Sequence, residues 1–127
     1  MFLIRLAQNN DKEKIHNFAN INNIKLYQKS LHIVVEIDNN IIGLLQFIKK
    51  NCYSEILSVF IIEGFRGQYF GDGLVKTLIN YCYNNNIELI KINLSDFNTF
   101  FEKIGFINKG NYLELNVFDY FNKHTCK

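Results

Sequence analysis

Residues 63–74, Glu63-Gly64-Phe65-Arg66-Gly67-Gln68-Tyr69-Phe70-Gly71-Asp72-Gly73-Leu74, join two stretches of different periodicity. The stretch before them, residues 52–62, alternates at its start and then turns wholly apolar through Val59, Phe60, Ile61 and Ile62. That pattern belongs to a strand covered on both faces, so the strand is expected at the centre of a sheet. After the glycines, Leu74, Val75, Leu78, Ile79 and Cys82 recur at helical spacing opposite Lys76, Thr77, Asn80 and Asn84. Gly67, Gly71 and Gly73 free the backbone to bend and to approach a ligand, and the following helix presents unpaired N–H groups at the positive end of its dipole. A phosphate or pyrophosphate is the natural guest, although glycines so placed also suit a plain strand-to-helix turn. Two familiar phosphate loops are excluded. A Walker loop requires Gly-Lys-Ser/Thr, where this chain has Val75-Lys76-Thr77 inside the helix, and a dinucleotide fingerprint requires a third glycine at Lys76.

Working outward, residues 2–7 read as a strand, and Asn10 or Asp11 offers a cap for a helix carrying Ile15, Phe18, Ala19 and Ile21. Residues 32–38 and 41–49 are β-rich runs joined by Asp38-Asn39-Asn40, which tolerate the left-handed turn of a hairpin. Residues 74–84 form the second helix, which runs out in Asn84-Asn85-Asn86. Residues 87–94 then read as a strand parallel to the central one, because a helical crossover separates the two. Residues 98–103 make a short helix closed by Gly105, and residues 107–121 a closing strand pair turning at Lys109-Gly110-Asn111.

The glycine segment resembles the acetyl-CoA loop of the GNAT superfamily of N-acetyltransferases, written Arg/Gln-x-x-Gly-x-Gly/Ala and often seen as R-G-x-G-x-G-x-x-L. Arg66, Gly67, Gly71 and Leu74 match, with Tyr69 in place of the middle glycine. An offset reading from Gln68 through Gly71 to Gly73 also fits the shorter pattern. The first keeps Ile61 and Phe65 in their usual places ahead of the loop, with Glu63 where the family has proline. A second block, Asn98-Thr99-Phe100-Phe101-Glu102-Lys103-Ile104-Gly105-Phe106, resembles the family's later motif of Asn, then Tyr-Glu-Lys-Leu-Gly-Phe.

The resemblance covers most of the chain and implies an α/β (α+β) GNAT-like acyl-CoA N-acyltransferase fold. Residues 1–127 would be a single domain with a mixed central sheet of about six or seven strands flanked by helices. It implies that acetyl-CoA lies between strands 52–62 and 87–94. Main-chain groups near Val59, Phe60 and Ile61 would bind its pantetheine arm. The N–H groups of Arg66, Gly67, Gln68, Tyr69, Phe70, Gly71, Asp72 and Gly73 would hold its pyrophosphate, and Asn98 and Phe101 would line its thiol end. Glu55 matches the position at which some members place a general base, and it also reads as a solvated strand-edge carboxylate. Phe101 stands where many relatives have a tyrosine that protonates the departing sulfur. Positioned acid catalysis contributes roughly 10²- to 10⁴-fold, whereas a thiol of pKa about 8.5 leaves tolerably unaided. Tyr53, Tyr69 and Tyr112 are alternative hydroxyls. The expected activity is acetyl transfer from acetyl-CoA to a primary amine of a small molecule or a protein; the rivals are a non-catalytic acyl-CoA-binding domain and a protein-interaction domain.

Composition narrows the rest. The 127 residues are 48% hydrophobic, and 14 Lys and Arg against 12 Asp and Glu give +2 with no basic block. Nucleic acid is therefore not an expected partner. Cys52, Cys82 and Cys126 form no C-x-x-C pair, and His16, His32 and His124 have no ligand spacing, so neither a disulfide framework nor a metal site is expected. The apolar start is far short of a signal or membrane segment and the unpaired cysteines suit a reducing compartment, so a cytoplasmic protein without a membrane partner is expected. A monomer or homodimer is expected as well.

Overall fold

The computed structural model describes residues 1–125. Strand β1 (Phe2–Leu6) leads through a 3₁₀ turn (Asn9–Asp11) to helix α1 (Lys12–Asn22). The hairpin β2 (Leu31–Ile37) and β3 (Asn40–Lys49) turns at Asp38 and Asn39, both at positive φ, and β4 (Tyr53–Ile61) follows. Helix α2 (Phe70–Asn84) crosses over to β5 (Leu89–Asn93), and α3 (Asn98–Ile104), β6 (Ile107–Asn108), β7 (Tyr112–Asn116) and α4 (Val117–Thr125) complete the order. The strands form one seven-stranded sheet, β1-β2-β3-β4-β5-β7-β6, with β4 central and β4–β5 its parallel pair.

Side-chain alternation sends apolar residues to both faces. On one face Ile33, Val35, Leu45, Phe47, Ile56 and Ile90 pack against α2 through Leu74, Leu78 and Ile79. On the other, Val34 and Leu44 meet Ile15 and Phe18 of α1, with Phe60 edge-on to Phe18. α1 covers only the β2–β4 half of its face; beyond β4 that face carries Lys91, Asn93, Tyr112 and Glu114 instead.

Two expectations are corrected. The closing segment does not stay extended to residue 121: β7 ends at Asn116, whose Oδ1 accepts the Asp119 N–H at 2.9 Å, and α4 begins at Val117. Asn116 is a helix cap, and the Leu113, Leu115, Val117 alternation continues by accident of burial, since Val117 is buried from the first turn of α4. Tyr83 of α2 meets Phe121 at 4.5 Å and Phe118 at 5.6 Å between centroids, tilted in both cases, so the helical course brings two rings of α4 against α2. Helix α2 also begins at Phe70, ahead of the expected start, so Gly71 and Gly73 lie in its first turn.

A charged cluster pins β1 to α1 and β2. Arg5 donates from Nη1 and Nη2 to Asp11 at 2.7 and 2.8 Å and from Nε to Glu36 at 3.0 Å. Asp11 also accepts the Gln8 N–H at 2.7 Å. The Arg5 guanidinium, and next the Gln8 N–H, hold the Asp11 carboxyl down at about 2, against an ordinary 3.8. The folded carboxyl is thus the stronger acid, and as pH falls the unfolded chain takes up the proton first. The stabilisation is complete above about pH 4 and is lost as pH falls to about 2, a loss of about 2 kcal/mol. Asp11→Asn should lower stability near neutrality by about 3 kcal/mol, because it leaves Arg5 half-paired in a mostly buried site. The variant's stability should also vary less between pH 4 and 2 than the wild type's, which urea unfolding across pH will check.

Candidate active site

β4 and β5 pair only from Tyr53↔Leu89 to Ile56↔Ile92, although β4 runs on to Ile61. They part at a bulge. On β3, Gln46 faces Ser58 and Phe47 faces Ile56, so Leu57 is the extra residue, and a bulge of this kind bends its strand. Past it, Val59, Ile61 and Ile62 are only half-buried, where the continuous apolar run had suggested full cover. Ile62 N–H donates to Ile42 C=O at 3.0 Å, which fixes the parity of the backbone. By alternation Phe60 also directs its main chain to β3, whereas Val59 and Ile61 direct theirs into the gap left by β5. Arg66 confirms this parity: its Nε donates to Ile61 C=O at 2.8 Å from the gap side, and its guanidinium carbon lies 5.5 Å from the Phe60 ring centroid.

At the end of the gap the chain turns through a second 3₁₀ turn, Glu63–Phe65, into the glycine segment. Gly67 has φ +82° and Tyr69 φ +67°, and Tyr69 projects its ring into solvent, 83% exposed. The first helical bond of α2 runs from Gly73 N–H to Tyr69 C=O at 3.0 Å. The N–H groups of Phe70, Gly71 and Asp72 precede it and have no helical carbonyl to reach, and Tyr69 supplies no side-chain cap. Asp72 pairs with Lys76 at 2.9 Å, which pushes the lysine pKa up. Gln68 is exposed, while the Phe70 ring is buried edge-on to Phe2, so Phe70 presents only its main chain here.

Packing and backbone conformation account for two of the three glycines. Gly67 occupies the left-handed region. At Gly73 a Cβ would lie 2.5 Å from the terminal methyl of Ile4, so this glycine lets β1 pack close to α2. At Gly71 a Cβ would meet the Phe100 ring at an ordinary 3.5 Å, and nothing in the packing forbids a side chain.

Phe101 is 3% exposed, in T-shaped contact with Phe100 at 4.9 Å and Phe106 at 5.4 Å. Asn98 uses Oδ1 to accept the Ser95 N–H at 2.8 Å and so shapes the entry to α3. Glu55 lies one register pair before the parting, on the face away from α2, with its carboxylate 3.6 Å from Lys50 Nζ. It borders a cavity of about 320 Å³ that also takes in Tyr53, Lys91, Asn93 and Tyr112. Of the alternative hydroxyls, Tyr53 and Tyr112 line this cavity and Tyr69 does not.

Gln46 was not singled out from the sequence. Fully buried, it donates from Nε2 to Lys25 C=O at 2.8 Å and Ser58 Oγ at 2.9 Å, and its Oε1 accepts the Tyr27 N–H at 3.1 Å. It ties the segment between α1 and β2 to the bulge. The available signal was a lone amide in the apolar run Ile41-Ile42-Gly43-Leu44-Leu45-Gln46-Phe47-Ile48, a buried polar group that has to be satisfied.

Cys82 is core: burial pushes its thiol up, and Sγ lies 3.5 Å from Ser54 Oγ. His32 is pushed down by burial, and His16 is exposed. Cys126 and the side chain of His124 lie outside the described residues. Among those described, no three His, Cys, Asp or Glu side chains gather in a way that could hold a metal ion, and no helix is long and apolar enough to cross a membrane.

The family profile described as "Acetyltransferase (GNAT) domain" matches residues 6–122. The chain belongs to the GNAT acetyltransferase family. Among solved structures it is similar to spermidine N-acetyltransferase SpeG from Vibrio cholerae, at a TM-score of 0.77 and 20% identity, covering 97% of this chain and 98% of that one. The ribosomal-protein-S18-alanine N-acetyltransferase from Escherichia coli gives 0.72 at 10% identity, covering 92% and 94%. A GNAT-family acetyltransferase from Staphylococcus aureus gives 0.70 at 20%, covering 92% and 99%. At these identities the likeness is one of fold. No curated protein sequence matches.

The glycine assignments can be measured directly. Gly67→Ala should lose about 1–2 kcal/mol by forcing a Cβ into the left-handed region. Gly71→Ala, in a helical turn with room for a methyl, should gain up to about 1 kcal/mol. Urea denaturation of the two variants beside the wild type reads both values.

Proposed function

We propose that the gap between β4 and β5 binds acetyl-CoA and that the protein transfers the acetyl group to a primary amine of a small molecule or a protein. One observation carries this reading: the main-chain edge of β4 at Val59 and Ile61 has lost its neighbouring strand, and it leads directly to the uncapped start of α2. An amide-containing arm fits the first and an anion the second. In this reading Val59 and Ile61 pair with the pantetheine amides, Arg66 giving up its bond to Ile61 C=O where the two compete. The N–H groups of residues 66–73 receive the pyrophosphate. Asn98 and Phe101 stand at the thiol end.

The co-substrate supplies an activated thioester. A neutral amine held beside Glu55 forms the new C–N bond at the carbonyl carbon within a ternary complex, and the C–S bond breaks. The surplus proton passes from the nitrogen to Glu55, directly or through water, while the Val59 N–H, which faces the gap beside the bulge, stabilises the developing oxyanion. Phe101 has no proton to give, so the sulfur departs as thiolate, within reach of a thiol of pKa about 8.5. That same substitution favours a second reading, a domain that binds acyl-CoA without turnover. No metal enters the scheme. We place the protein in the cytoplasm as a monomer or homodimer, although the Vibrio enzyme is a dodecamer in one solved structure.

CoA at 100 times its Kd should stabilise the fold by roughly 2.7 kcal/mol, seen as a rise in Tm, and absence of any shift at millimolar CoA would sink the reading. Gly71→Glu should fold, since the position has space, yet abolish the shift by placing a carboxylate among the N–H groups meant for phosphate. Glu55→Gln should lower kcat about 10²-fold with unchanged KM for acetyl-CoA, measured as thiol release. CoA binding without thiol release over a broad amine panel would select the non-catalytic reading.

A further inference from the structure

The cavity beside Glu55 holds a cation whose surroundings differ from those of its neighbours. A row of charges crosses one face of the sheet: Glu55 on β4 stands opposite Lys91 on β5, and Lys91 opposite Glu114 on β7. Strand pairing makes Lys91 the natural partner of either acid. It pairs with neither. Glu55 is 3.6 Å from Lys50 and Glu114 is 3.9 Å from Lys109, each at the outer end of the row. The Lys91 ammonium instead lies 4.3 Å from the centroid of the Tyr53 ring and 5.0 Å from that of Tyr112, and it forms no ion pair among the described residues. Three lysines and two glutamates leave one uncompensated positive charge, located where two aromatic rings hold it in a cavity of about 320 Å³.

This placement has a chemical meaning. Cation–π contact fixes an ammonium without neutralising it, so the charge remains available to an anion entering from the open side. The cavity adjoins the parting of β4 and β5, and Glu55 and Lys91 sit in one register pair and both line it, close enough for one small molecule to reach both. Glu55 suits an amine and Lys91 an anion.

We infer that the acceptor is a small zwitterionic amine, carrying a carboxylate or phosphate a few bonds from its amino group, and that Lys91 selects it by holding that anion between Tyr53 and Tyr112. The inference rests on the acetyltransferase reading of the gap. It predicts a preference for acceptors that the same gap with a neutral residue at position 91 would not have. Purely cationic polyamines should be poor acceptors, because Lys91 opposes a second positive charge at the place where it would lie.

The test uses matched acceptor pairs that differ only in the anion: amino acids against their amides, and amino-sugar phosphates against the unphosphorylated amino sugars. The first pair reads carboxylate and the second phosphate. The anionic member of at least one pair should show the lower KM, and Lys91→Met should raise that KM roughly 10- to 100-fold, the loss expected for a charge-assisted hydrogen bond. kcat should change little, the neutral member should be unaffected, and Lys91→Arg should restore most of the preference. Binding of each pair to the CoA complex, followed by NMR shifts at Tyr53 and Tyr112, gives the same comparison without turnover. Equal KM and equal binding within both pairs, or better use of the neutral member, would overturn the inference while leaving a CoA-dependent rise in Tm intact. A Lys91→Met variant that loses both members alike would also overturn it. Failure of CoA itself to shift the Tm would instead count against the acetyltransferase reading.

Discussion

Everything distinctive about this molecule follows from two parallel strands that cannot stay together. One extra residue, Leu57, bends β4 away from β5, and the hydrogen-bonding edge past it has no strand to satisfy it. In water-exposed gaps such an edge is tolerable, and it is also a template for an extended ligand rich in amides. The N-terminus of α2 stands at the end of the same gap because the crossover from β4 to β5 has to begin where β4 stops. The strand edge and the helix terminus are thus two consequences of one topology. Under the acetyl-CoA proposal the two would form a site built mainly from main chain, in which an outward-pointing side chain such as Tyr69 does not obstruct the ligand.

The bulge needs support from both sides, and the supports are polar. Gln46 joins Ser58, next to the bulged residue, to main-chain groups of Lys25 and Tyr27, so the segment between α1 and β2 is locked in register with the parting strands. The Arg5–Asp11–Glu36 cluster similarly fixes where α1 begins relative to β1 and β2. Buried polar groups of this kind contribute modest net stability, and their removal leaves an unpaired partner behind. Their effect is positional. They decide where the roof over one half of the sheet sits, and hence that the other half of that face remains open with Glu55 and Lys91 accessible.

Much of this was legible in the amino-acid sequence, because much of it depends on local patterning. Alternation gave the β2–β3 hairpin, and Asp38 and Asn39 indeed take the left-handed conformations that two-residue turns require. Helical periodicity gave α2, and the glycine segment marked the strand-to-helix junction. The reading failed where local patterns are degenerate. Leu113, Leu115 and Val117 satisfy a strand's alternation, yet Asn116 caps a helix, whose residues Val117, Tyr120 and Phe121 pack on the core and whose Phe118 and Phe121 meet Tyr83 of α2.

The sequence by itself determined the order of elements as far as β7 and the junction at which a phosphate would be met, since these are set by periodicity and by the backbone freedom of particular residues, and its two motifs pointed to the family. Tertiary structure alone decided which glycine does what. Gly73 answers to Ile4 from a strand nearly seventy residues away in sequence, Gly67 to its own φ, and Gly71 to neither. It alone decided that Val59 and Ile61, but not Phe60, turn their main chains to the gap, because the parity depends on the bulge and on pairing with β3. It likewise decided that Lys91 lies over two tyrosines instead of pairing with an acid. Charge partners are chosen by distances across strands, and no spacing along a single chain encodes those.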